Sequence, residues 1–73
     1  MTEDKQKILD ALLPALRLTR GASDLINLID VKVKGPEDQE YVLAVFQNGA
    51  ERKINVTLDS GIAMIRDVCE RVV

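Results

Sequence analysis

The sequence predicts an α+β fold in two layers: a three-stranded antiparallel meander with an N-terminal and a C-terminal helix packed on one face, in the order α-β-β-β-α. Three observations predict it. Apolar residues recur at helical spacing at both ends of the chain, they alternate with polar residues in the middle, and Gly35-Pro36 and Asn48-Gly49 divide that middle into segments of strand length. All 73 residues fall into one domain, with no internal repeat or low-complexity segment.

The first helix carries Ile8, Leu9, Leu12, Leu13 and Leu16 on one wide face. Thr2 is its expected N-cap, with Glu3 and Asp4 in the first turn, where the helix dipole favours anions. Pro14 removes a hydrogen bond and crowds the carbonyl of residue 10, so a kink or two shorter helices is expected, and Gly21 is a natural stop. Ser23 or Asp24 then caps a short turn reaching Leu28.

From Ile29 the period changes to two. Ile29, Val31 and Val33 alternate with Asp30, Lys32 and Lys34, which describes a half-buried strand. Residues 35–39 form a turn, and Tyr41 to Phe46, apolar on both sides, is the central strand. Asn48-Gly49 predicts a two-residue hairpin of the primed type, followed by a third strand through Ile54, Val56 and Leu58. In that register Leu43 lies opposite Ile54 and Tyr41 opposite Val56, while a Lys34–Glu40 pair sets Val33 against Tyr41 and Val31 against Leu43. One face then gathers Ile29, Val31, Val33, Tyr41, Leu43, Val45, Ile54, Val56 and Leu58 as the core side. The last helix starts at Asp59-Ser60-Gly61 and turns Ile62, Ile65, Val68, Cys69 and Val72 inward, leaving Leu18 and Met64 outside the inward arcs of the two helices.

Composition narrows the function. Cys69 is the only cysteine and histidine is absent, so neither an intrachain disulfide nor a common structural zinc site can be built. A chain this short buries only about 60% of the surface its unfolded form exposes and ordinarily needs a crosslink, a metal or a partner. The partner remains. Net charge is −2 with the signs well mixed, there is no basic face of the kind phosphate contacts demand, and no uncharged stretch approaches the roughly 20 apolar residues of a membrane span. The charged start Met1-Thr2-Glu3-Asp4-Lys5 lacks the shape of a signal peptide, so a cytoplasmic protein without a membrane partner is expected.

Candidate chemistry is sparse, and no cofactor or metal is expected. Cys69 sits on an apolar stripe, as packing cysteines do. Ser60 has no histidine to activate it, so capping is its expected role; a weak anion site at Ser60 and Gly61 is the alternative. Asp67 and Glu70 alternate with Arg66 and Arg71 as a solvated helix face, and Glu37, Asp38 and Glu40 lack the spacing of a calcium hand.

The second sheet face stands out. It is expected to carry Val42, Ala44 and Phe46, rimmed by Asp30, Lys32, Lys53, Asn55 and Thr57, the layout of an interface core with a polar border. The functional expectation is a non-enzymatic protein-protein interaction module or accessory subunit that self-associates through Val42, Ala44, Phe46, Lys32, Lys53 and Asn55. A nucleic-acid platform using Lys32, Lys53 and Phe46 is the alternative, weakened by having a single aromatic ring.

Overall fold

The computed structural model describes residues 4–72 and has the expected order: α1 (Lys5–Arg17), β1 (Leu25–Val33), β2 (Gln39–Phe46), β3 (Glu51–Asn55) and α2 (Gly61–Arg71). The strands form an open antiparallel sheet in the order β1-β2-β3, and both helices lie on one side of it, α1 against β1 and α2 against β3. Between the layers sits a core of Leu9, Leu16, Leu25, Leu28, Val42, Phe46, Ile54, Val56, Met64 and Val68, with Ala22, Ala44 and Val72 filling the smaller spaces.

The N-cap of α1 is Asp4, whose carboxylate accepts from Lys7 N at 3.1 Å; Thr2 and Glu3 lie outside the described residues. Pro14 does not divide the element, and one helix runs from Lys5 to Arg17. The reason is position. Pro14 is exposed and belongs to the last turn, so only the carbonyl of residue 10 loses its helical partner. The helix also ends before Gly21, closing with Leu18 N on Ala15 O (3.2 Å) and Thr19 N on Leu16 O (2.9 Å).

The segment expected as a helical turn is strand. Leu25 and Leu28 are both buried on the helix side although three residues apart, a spacing that suggests a helix. A register shift between Leu25 and Asn27 accounts for it: Leu25 pairs with Phe46 and Asn27 with Val45, so the extra residue Ile26 turns outward and the alternation resets. Further along, Lys32 pairs with Glu40, Val31 with Tyr41 and Ile29 with Leu43. This differs by two residues from the expected pairing and so preserves every face.

The β2–β3 hairpin differs by one residue, and that changes the core. Phe46 N donates to Ala50 O (2.9 Å) and Gly49 N to Phe46 O (3.0 Å), enclosing a three-residue loop, Gln47-Asn48-Gly49. Gly49 has φ 85°, and Asn48 Oδ1 accepts from Ala50 N at 2.9 Å. A turn closed by a left-handed glycine is the common three-residue hairpin. Val42 therefore pairs with Ile54 and Leu43 with Lys53. Ile54 and Val56 join Val42, Ala44 and Phe46 beneath the helices, and the face expected to be buried is the open one. Leu58, expected inward, lies beyond the strand and is 97% exposed.

In α2, Ser60 is the N-cap and accepts from Ala63 N at 3.3 Å. Its buried stripe is Gly61, Met64 and Val68, continued by Val72, with Ala63, Ile65 and Cys69 partly buried beside it. Met64, expected outside, is 0% exposed, whereas Ile62, expected inside, is 81% exposed. Centring the stripe on Met64 brings the longest flexible apolar side chain of the helix into the same core as Val42 and Ile54.

Denaturant unfolding distinguishes the two helix faces: Met64→Ala costs about 2–5 kcal/mol and Ile62→Ala less than about 0.5 kcal/mol. Comparable losses would contradict the observed stripe. A Cβ at Gly49 meets nothing within 4 Å, so Gly49→Ala carries only the left-handed backbone penalty of about 1–2 kcal/mol. A neutral result would contradict the three-residue turn.

Candidate functional site

The side of the sheet away from the helices carries Ile29, Val31 and Val33 from β1, Tyr41, Leu43 and Val45 from β2, and Lys53 and Asn55 from β3. Five of its six apolar and aromatic side chains are half-buried, and Val33 at the margin is 45% exposed. Cross-strand pairing produces this continuity, since Ile29 lies opposite Leu43 and Val31 opposite Tyr41. The border is polar: Asn27 and Gln39 at the ends, Glu51, Lys53 and Asn55 along β3. Lys53 Nζ lies 5.2 Å from the centre of the Tyr41 ring, which holds the cation over an aromatic face.

Four of the six residues expected here are elsewhere. Val42 and Ala44 are 0% exposed and Phe46 7%, all under the helices, so they form the core and not an interface. The one-residue difference at the hairpin is the cause. Lys53 and Asn55 do lie on the open face, but Lys32 belongs to the helix side, with Asp30 and Glu40. The nucleic-acid platform is therefore not assembled: Lys32 and Lys53 occupy opposite faces and Phe46 is covered, with Arg52 5.6 Å over its ring.

The second notable cluster is a charged corner on the helix side. Lys5 of α1 forms a salt bridge with Glu40 at side-chain exposures of only 16% and 12%, and its Nζ also reaches Val56 O at 3.4 Å. The Asp30 carboxyl stands beside that of Glu40, close enough to share a proton, and its Oδ1 is buried without a donor. Burial first, then the hydrogen bond and negative charge of Glu40, push Asp30 up from 3.8 to about 6, against the opposing pull of Lys32 and Lys5. For Glu40 burial acts upward too, but the hydrogen bonds from Lys5 and Asp30 and the charges of Lys5 and Lys32 outweigh it and hold the group below its ordinary value.

At the start of α2 the arrangement disfavours an anion. Ser60 Oγ is engaged by Ala63 N and Gly61 is buried. Asp59 adjoins them, its pKa raised by a hydrogen bond with Asp67, by burial and by the charge of Asp67, so the nearest side chains are acidic. Glu40 is taken by Lys5, leaving Glu37 and Asp38 alone in the β1–β2 turn, and among the described residues no three carboxyl or thiol groups converge. Cys69 packs partly buried against the core. No described helix is long and apolar enough to cross a membrane.

Gln6 carries no signal in the sequence, yet it is a connecting residue in the fold. Its carboxamide donates to Leu28 O (3.1 Å) and Asp10 Oδ1 (2.9 Å) and accepts from Asp30 N (2.8 Å), joining α1 to the outer edge of β1. A lone glutamine near a helix start gives no periodic signal of such a role. No protein family model, no curated protein and no solved structure matches the chain.

The charged corner generates a pH dependence. Because Asp30 binds its proton more tightly folded than unfolded, its contribution to stability is complete below pH 3.8 and is lost as pH rises through about 6. Glu40 acts oppositely, stabilising above its ordinary value of 4.5 and losing that contribution as pH falls through its lowered value. Thermal melts of Asp30→Asn should gain on wild type progressively as pH rises from 3.8 through about 6 and then hold that gain, because the variant carries no charge to desolvate. Melting temperatures that run parallel over that range would contradict the Asp30–Glu40 pairing.

Proposed function

We propose that this chain is a non-enzymatic interaction module that pairs with a second copy of itself through the open sheet face. One observation carries the reading: a contiguous apolar field of Ile29, Val31, Val33, Tyr41, Leu43 and Val45 remains outside the core of a short chain whose single cysteine and lack of histidine leave it without an intrachain disulfide or a common structural zinc site. Its border is self-complementary. Glu51 and Lys53 sit two residues apart on the same face of β3, so a twofold axis can set each against its opposite in the other copy.

Size sets the strength. Three strands at about 4.8 Å spacing and eight residues at about 3.3 Å rise give a face of roughly 380 Å² in all. That is below the roughly 800 Å² per partner of a standard specific interface, so the dimer is weak and concentration-dependent. Stacked sheets pack with interdigitating inner faces, and β-branched and aromatic side chains such as these suit that contact.

Sedimentation equilibrium from micromolar to millimolar protein tests the proposal. Wild type should rise from one chain mass towards two, and Leu43→Glu, whose carboxylate lies opposite Lys53 and so leaves the strand pairing supported, should remain at one. A wild type that stays single at millimolar concentration, or a variant that pairs equally well, would exclude the open face as a self-association surface.

A further inference from the structure

The outer edge of β1 is closed by side chains. In an edge strand, alternate residues direct both N–H and C=O away from the sheet, where they form a template for another strand. In β1 these are Leu28, Asp30 and Lys32, because Asp30 N and Leu28 O both turn to Gln6 and not to β2. Leu28 N is met by Asn27 Oδ1 at 2.9 Å. The Gln6 carboxamide spans Leu28 O (3.1 Å) and Asp30 N (2.8 Å), the same two groups that one residue of a parallel strand would engage opposite Ile29. Its orientation is set by the third bond, to Asp10 Oδ1, which uses the remaining donor.

We propose that Gln6 is an edge guard: it occupies a strand-docking seat on β1 and thereby prevents antiparallel addition of β1 from a second copy. The sequence of the edge favours that occupant once the seat is vacated. In the antiparallel register centred on Val31, Asp30 of each copy lies opposite Lys32 of the other, forming two opposite-charge cross-strand pairs around the axis. The same register places Ile29 opposite Val33 of the second copy, so the apolar open face continues across a six-stranded sheet. Asp30 must use its N–H in that ladder, and Gln6 holds it. This inference does not depend on face-to-face pairing, which wild type and an edge variant would share, so a difference between them reports on the edge alone.

The test is Gln6→Met, which keeps side-chain length and helix propensity while removing the carboxamide. In dilute solution the Asp30 amide should exchange with solvent roughly tenfold faster than in wild type, its hydrogen bond having gone. At high concentration the weight-average mass should reach about double that of wild type at the same concentration, with β1 amides regaining protection. Adding Lys32→Pro, which deletes an outward N–H at an edge position that tolerates proline, should return the mass to the wild-type value. Gln6→Lys frees Asp30 N–H alone and is read in the same way should Gln6→Met lose the fold. Unchanged Asp30 exchange, a mass equal to wild type, or an excess mass that survives Lys32→Pro would each overturn the proposal.

Discussion

The three-residue turn closed by Gly49 is the constraint on which the rest of the structure depends. A left-handed backbone at that residue pairs Phe46 with Ala50, and from there every residue of β3 is assigned a side of the sheet. Because the side-chain period of a strand is two, one residue more or fewer in the loop would exchange Ile54 and Val56 with Glu51, Lys53 and Asn55. The helices bring Leu9, Leu16, Met64 and Val68 to be covered, and they settle on the side where Ile54 and Val56 can meet them with Val42 and Phe46. Core, open face and charged corner all follow from that register.

Much of this architecture is legible in the sequence. Helical spacing at both ends, period two in the middle and the turn pairs give the element order correctly, and Ile29, Val31, Val33, Tyr41, Leu43 and Val45 do share one face. What could not be read was which face is buried, because β2 is apolar on both sides and its alternation does not choose. The choice rested on the hairpin, and Asn-Gly suits both a two-residue and a three-residue loop. Leu25 and Leu28 misled for a related reason: a bulge puts residues three apart on one side, which imitates a helix. The stripe of α2 moved from Ile62 to Met64 once the core lay on the other side of the sheet.

The functional reading keeps its form while its residues change. An apolar sheet face with a charged border is present, made of Ile29, Val31, Val33, Tyr41, Leu43 and Val45 in place of Val42, Ala44 and Phe46. The polar residues divide between two tasks. Glu51, Lys53 and Asn55 border the open face, whereas Lys5, Gln6, Asp30 and Glu40 fasten α1 to the β1–β2 end of the sheet through bonds that also occupy its exposed edge. Gln6 could not be recognised from sequence because its partners on the sheet, Leu28 O and Asp30 N, are backbone groups whose direction depends on the register of β1.

The most direct measurement is the pattern of cross-strand Hα–Hα contacts between β2 and β3 in solution by NMR. Residues opposite one another at non-hydrogen-bonded positions bring their Cα atoms to about 4.5 Å, close enough for strong contacts. The structure requires them between Leu43 and Lys53 and between Tyr41 and Asn55. Contacts joining Ala44 to Lys53 and Val42 to Asn55 instead would place the two-residue turn in the hairpin, return Val42, Ala44 and Phe46 to the open side, and contradict the account.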